Sequence, residues 1–209
     1  MNYKYIAVIA IFLLSLVIAS CGASTEIVGD WSDSNYKKGN IDKLLVLGIV
    51  NKDKPLLRRR VEDGLKNAFE KHGIEAIPSM DIMPYDETID STTFDKYFKD
   101  LNFDAVITVR VVGLEKDRNY KAGYAYVVPY NNYYGFYGYY YAAVSYANTS
   151  GYLSKSVTVV IENNLYDAKN KKLIWSGISE TIDPDKASDV INSVGSALVD
   201  KLSSEGFIK

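Results

Sequence analysis

Apolar and polar positions along this chain follow two different periods, and the places where the period changes mark its elements. The apolar run KLLVLGIV (43–50) reads as a buried strand. NKDKP follows, where Asp53 or Lys54 caps a helix and Pro55 suits its first turn. Leu57, Val61, Leu65, Ala68, Phe69 and His72 then recur at helical spacing until Gly73 stops the pattern. IEAIP (74–78) predicts a second strand, and Asp90 or Ser91 caps a second helix whose Phe94, Tyr97, Phe98 and Leu101 share a face. DAVITVRVVGLEK (104–116) is long and rich in β-branched residues, as strands are. KSVTVVIENNLYDAKNKKLIWSGISETI (155–182) predicts a hairpin that turns at DAKNKK, with Trp175 packing the sheet against a helix. Asp183-Pro184 opens a last helix with Ala187, Val190, Ile191, Val194, Leu198 and Leu202 on one stripe, closed by Gly206. The predicted order is β-α-β-α-β, an insert, then β-β-α: an α/β fold with a mixed sheet and helices packed on it.

The first twenty residues follow neither period. Ile6–Val17 is apolar except for Ser15, too short to span a bilayer as a helix and the right length for the core of a secretory signal. It runs into VIASCG, with small Ala19 and Ser20 before Cys21, the only cysteine in the chain. A plain signal peptide with an incidental cysteine is the competing reading. An exported protein with one thiol has no internal disulfide, so that thiol is either reactive or already committed. The Ile-Ala-Ser-Cys ending resembles the lipobox of bacterial lipoproteins. That resemblance implies cleavage between Ser20 and Cys21, a diacylglyceryl group on the Cys21 sulfur, and acylation of the new amino group, with palmitate the expected chain. The partner of Cys21 is then membrane lipid, and several acyl chains on one residue hold far more firmly than one. Gly22 stands where an aspartate would, by resemblance to Gram-negative sorting signals, favour the inner membrane. The expected location is therefore the cell envelope, at the periplasmic face of the outer membrane. Residues 21–40, GASTEIVGDWSDSNYKKGN after the cysteine, read as a polar tether of about 25 Å root-mean-square span, with Trp31 and Tyr36 available to clip it back. Residues 41–209 read as one domain.

Between its last two groups of strands the chain changes character. Residues 122–154 carry no charge and no histidine, and YNNYYGFYGYYY (130–141) holds seven tyrosines and a phenylalanine. As a strand it would place aromatic rings on both faces, Tyr133, Tyr137, Tyr139 and Tyr141 on one and Tyr134, Phe136 and Tyr140 on the other. Three readings stand side by side. The segment is a low-complexity excursion folded back over the domain, its phenols hydrogen-bonded to water. Or it is a recognition surface, because Tyr with Gly, Ser and Asn suits binding loops. Or its arms YAYVVPYNN and YYYAAVSYA supply strands to a membrane barrel, against which Pro129 and the poor alternation weigh. The second reading makes Tyr130, Tyr133, Tyr134, Phe136, Tyr137, Tyr139, Tyr140 and Tyr141 the candidate partner-binding residues. The partner would be an envelope protein or a glycan, since the missing cations disfavour phosphate-rich ligands. With strands on either side, the insert is expected to be dispensable for folding.

Composition narrows the chemistry. The formal net charge is −2, with 24 basic and 26 acidic residues, which leaves no electrostatic footprint for nucleic acid. The one dense basic cluster, LLRRR (56–60), reads as a solvated helix face with Glu62 and Asp63 as partners. The single histidine, His72, suits the end of its helix. Without a second histidine or a free thiol, a zinc or iron site lacks its usual ligands, and a Ser-His or Cys-His nucleophile would have to recruit His72, with no nucleophile-elbow motif beside it. Asp81, Asp86, Glu87 and Asp90 lack the spacing and glycine of a calcium loop and read as loop polarity and capping. No catalytic residue, metal or cofactor is expected.

KLLVLGIV, RRRVEDGLKNAFEKHGIEAIPS, FDAVITVRVVGLEKD and NLYDAKNKKLIWSG together resemble a family of uncharacterised bacterial lipoproteins, over most of residues 41–208. More distantly, the element order is similar to the N-terminal domain of the Tol-system propeller protein and to the curli-secretion lipoprotein. The resemblance implies a non-enzymatic envelope module that binds or adapts. Its alternative is an oligomeric, membrane-inserting secretion or pore component.

Overall fold

The structure is a computed structural model and describes residues 23–36, 38, 39, 41–115, 135–138, 140 and 158–209. Six strands form one mixed sheet: β1 (Thr25–Ser32), β2 (Lys43–Ile49), β3 (Glu75–Pro78), β4 (Ala105–Glu115), β5 (Thr158–Asp167) and β6 (Leu173–Ile182). Their spatial order is β1-β6-β5-β4-β2-β3. β3, β2 and β4 run parallel, and β4, β5, β6 and β1 are antiparallel to their neighbours. The α/β fold read from the sequence is therefore present, with its hairpin and its insertion point. Helices α1 (Pro55–Glu70), α2 (Ser91–Phe98) and α3 (Ala187–Ser204), with helical residues at 135–138 and 140, pack on the two faces.

One strand lies where a tether was expected. Residues 25–32 hydrogen-bond along β6 from Thr25↔Thr181 to Ser32↔Trp175, with a bulge at Val28. Alternation explains it: Ile27 packs on the core while Glu26 and Val28 are exposed. The Thr25 hydroxyl lies 2.6 Å from both Thr181 Oγ1 and Ser193 Oγ, and Lys201 Nζ reaches Asp30 at 2.9 Å. Tyr36 stacks on Phe207, ring centroids 6.0 Å apart. Residues 25–32, within the stretch read as a tether, are thus an edge strand of the sheet. At the other edge, β3 is four residues long and ends in Pro78, which limits further pairing there.

The first face of the sheet buries Leu44, Val46, Ile107, Leu165 and Trp175 against the apolar stripes of α1 and α3. The two helices meet at glycines. A Cβ on Gly64 would stand 2.2 Å from Ile191 Cγ2, and one on Gly195 2.8 Å from Ala68 Cβ. Trp175 closes the far end of this core, its ring over Gly177 and its Nε1 donating to Glu205 at 3.3 Å. α3 starts at Ala187, three residues beyond the predicted Pro184, because Lys186 is still extended (φ −152°, ψ 163°) and serves as the N-cap.

α1 differs most from its sequence reading. Its buried positions are Arg58, Glu62, Leu65 and Phe69, so two of the residues placed on a solvated face lie inside. Glu62 is fully buried. Its Oε1 accepts from Gly48 N (3.0 Å), Arg58 Nε (2.9 Å) and Ser79 Oγ (2.8 Å), and its Oε2 from Met80 N (2.9 Å). Arg58 continues to Ser79 Oγ (2.7 Å) and to the Tyr85 carbonyl (3.2 Å). Arg59 does behave as a surface cation, paired with Asp63 and Asp81. Replacing Glu62 with alanine leaves Arg58 buried without its counter-charge and should lower unfolding stability by roughly 3–5 kcal/mol. Urea denaturation followed by circular dichroism checks it, and a loss below about 1 kcal/mol would show the network to be ornamental.

Candidate functional site

The second face of the sheet carries the features that set this domain apart. Leu45, Leu47, Ile49 and Val106 point from β2 and β4 toward α2, which covers them with Phe94 and Phe98. α2 is fixed at its start by a reciprocal capping box: Thr93 N donates to Asp90 Oδ1 and Asp90 N donates to Thr93 Oγ1, both at 2.8 Å. The donation from Thr93 N, joined by the Thr93 hydroxyl at 3.1 Å, holds the Asp90 carboxyl below its usual range. Glu87 is held low in the same way by the Tyr97 hydroxyl at 2.6 Å. Asp81, meanwhile, pairs with Arg59. Asp81, Glu87 and Asp90 are thus individually occupied, Asp86 is exposed, and among the described residues no group of His, Cys, Asp and Glu is placed to hold a metal.

Beside α2 lies the described part of the aromatic insert. Gly135 turns the chain with φ 31°, and Phe136 N donates to the Lys171 carbonyl in the β5–β6 turn at 2.9 Å. Phe136 is fully buried, in edge-on contact with Phe94 (5.7 Å), Tyr137 (5.3 Å) and Tyr166 (5.3 Å), and tilted against Tyr140 at 6.3 Å. Tyr140 is buried as well. Tyr137 is half-buried, edge-on to Phe94, and desolvation together with Asp95 and Asp90 pushes its phenol up to about 12. Lys171 lays its ammonium over the Phe94 ring, 3.7 Å from the centroid, and burial lowers its pKa. These rings interlock with core residues of β5 and α2.

Next to this layer, β4 and β5 present a buried polar row that sequence reasoning missed. Arg110 and Glu162 face each other across the ladder as a buried ion pair, and Asn164 Nδ2 donates to Glu162 Oε1 at 3.2 Å. Thr108, opposite Asn164, is buried too. The signal was available: Thr108 and Arg110 share one parity of β4, Glu162 and Asn164 one parity of β5, and their charges are complementary.

At the carboxyl end of β2, where α1 begins, Gly48, Asn51, Lys52, Arg58, Tyr85 and Tyr140 line a small cleft. Its free space of about 20 Å³ accommodates a water or two rather than a substrate. His72 is exposed beyond the end of α1, its Nδ1 3.1 Å from the Ala68 carbonyl.

The predicted site residues are therefore distributed as follows. Phe136 and Tyr140 are core residues and Tyr137 sits at the core's margin. Ser20, Cys21, Tyr130, Tyr133, Tyr134, Tyr139 and Tyr141 lie outside the described residues. The expectation that the whole insert is dispensable for folding is corrected at 136 and 140, because both rings fill space between α2 and the sheet. No helix among the described residues is long and apolar enough to cross a membrane.

These features define an α/β domain with a six-stranded mixed sheet and helices packed on it. No family model matches the sequence, and no curated protein does. Among solved structures, the chain is similar to the PelC dodecamer from Paraburkholderia phytofirmans, at 16% identity over 90% of this chain and 99% of that one, with a TM-score of 0.43. It is also similar to lipoprotein GNA1162 from Neisseria meningitidis (14% identity, 78% of this chain and 96% of that one, TM-score 0.38). A PDZ domain protein from Parabacteroides distasonis aligns at 13% identity over 93% of this chain and 39% of that one, TM-score 0.43. Likeness of this degree carries nothing about activity or partner.

Phe136→Ala should lower stability by about 3–5 kcal/mol, the usual range for emptying a buried phenylalanine site. Thermal melts of the purified domain check it; an unchanged melting temperature would show that the insert only rests on the core.

Proposed function

We propose that this chain is a lipid-anchored, non-enzymatic module of the cell envelope that binds a partner there. The observation that carries the reading is the run from the apolar segment 6–17 into VIASCG, with the first strand of the domain beginning at Thr25. A cleavable signal, one cysteine at its end and an ordered domain almost immediately afterwards form a consistent sequence of address, anchor and body. The outer membrane, at its periplasmic face, is the expected site, and acylated Cys21 is the contact with lipid.

Several features support a binding rather than a catalytic role. The single histidine stands exposed at a helix end, Asp81, Glu87 and Asp90 of the acidic loop are occupied by a cap and ion pairs, and the cleft at β2 admits only water. A partner surface falls to the aromatic residues of the insert that do not serve the core, with Tyr137 at its margin. An envelope protein or a glycan fits a surface of tyrosine with glycine, asparagine and serine, where phenols supply both apolar area and hydrogen bonds.

Cys21→Ser should abolish acylation, so that the protein either leaves the membrane fraction or accumulates with its signal uncut. Normal fractionation and processing of that variant would rule out the anchor. A photo-crosslinker at Tyr137 in living cells should capture a second envelope component; capture of nothing beyond its own chain would exclude this part of the insert as the contact.

A further inference from the structure

The register of the sheet places the anchor and several exposed apolar side chains at one end of the molecule. Thr25 pairs with Thr181, Thr181 with Val159, and Val159 with Leu114. One row across the sheet therefore joins the start of β1, the end of β6, the start of β5 and the end of β4. β2 points its carboxyl end the same way, parallel to β4, and α1 starts from it. The large exposed apolar residues of the described chain are Val28, Leu56, Tyr85, Val111 and Ile182, each 41–75% accessible. Ile182 ends β6 and Leu56 opens α1. Tyr85 is tied to α1's first turns through Arg58 and lines the cleft beside Lys52. Val28 and Val111 lie in the same half of the sheet. The opposite end carries the β5–β6 turn with exposed Lys169 and Asn170, and His72 after α1.

Chain length fixes what this end meets. Thr25 is held by hydroxyl contacts to Thr181 and Ser193, and four residue steps back to Cys21 reach at most about 14 Å when fully extended. The eleven residues of β4 alone span about 36 Å, so an anchor at Cys21 cannot stand the domain on the far end of its sheet without unpeeling β1. We propose that the end of the domain bearing Leu56, Tyr85 and Ile182 lies on the membrane that holds the Cys21 acyl chains, with these side chains seated at the lipid interface. This rests on the reading of Cys21 as the anchor. Once the anchor is inserted, docking of this end is intramolecular, and at the resulting millimolar effective concentration a few apolar side chains suffice to set orientation. Tyrosine also suits the interfacial zone. Charge does not drive this docking, because Lys52, Lys54 and Lys186 are outnumbered by Asp53, Asp86, Asp183 and Asp185, all exposed at the same end.

The test uses the full-length acylated protein in phosphatidylethanolamine–phosphatidylglycerol vesicles containing doxyl-labelled lipid. A fluorophore is attached through Leu56→Cys, Ile182→Cys or, at the far end, Asn170→Cys, and Cys21 acylation is verified by mass spectrometry in each preparation. Quenching at Leu56 and Ile182 should exceed that at Asn170 several-fold. It should persist from about 0.1 M to about 1 M salt, over which the Debye length falls from about 10 to 3 Å. Equal quenching at all three sites, or quenching lost at high salt, overturns the orientation while leaving the anchor intact. A protein that carries no acyl chain and remains off the vesicles overturns both.

Discussion

A single buried carboxylate organises the parallel half of this domain. Glu62 accepts from the backbone of β2, from the turn after β3 and from two side chains, one of them the cation on its own helix. An unpaired charge in that position would carry a penalty of several kcal/mol, so the side chain fits only where all of these donors converge. That requirement fixes the height and rotation of α1 over β2, and through Ser79 and Met80 it fixes where the chain leaves β3. The Gly64 and Gly195 contacts then set how closely α3 approaches α1. The first core is filled around these constraints.

The second face is assembled on a different principle. α2 alone covers only part of it, and the insert supplies Phe136 and Tyr140 to the same apolar layer. Edge-on ring contacts give such a layer directionality beyond its buried area. An aromatic segment that looks foreign to the domain in sequence is thereby partly integral to it. Phe136 touches α2 and β5 together, and its backbone is bonded to the β5–β6 turn, so the segment also ties elements that are distant along the chain.

Strong periodicity made the fold legible where each element has one apolar stripe. β2, α2, β4, the β5–β6 hairpin and α3 follow from their patterns, and Gly73 and Gly206 stop their helices with φ 79° as glycine allows. What the sequence hid was polar. Arg58 and Glu62 extend the Leu65–Phe69 stripe by one helical turn each, but charged residues default to solvent unless their partners are known. β1 was hidden because its alternation is diluted by glycine, aspartate and serine and its pairing partner lies far away. In the insert, both parities are aromatic, so period alone could not say which ring would be buried. Phe136 is the residue without a hydroxyl in a run of tyrosines, and it is the most enclosed of the described insert residues.

The union of β1 with β6 has a consequence for how the molecule comes into being. Thr25 and Thr181 are separated by 156 positions, so the strand nearest the N-terminus has no partner until nearly the whole chain has emerged. Closing so long a loop is entropically slow relative to forming local hairpins and helix–strand units. β5 and β6, joined by a tight turn, can pair first; β1 docks onto a platform already built. During synthesis β1 therefore stays unpaired, and it is drawn against the body only when β6 and the last helix are in place. The edge strand acts as the closing step of folding, sealing a sheet whose other strands are already paired.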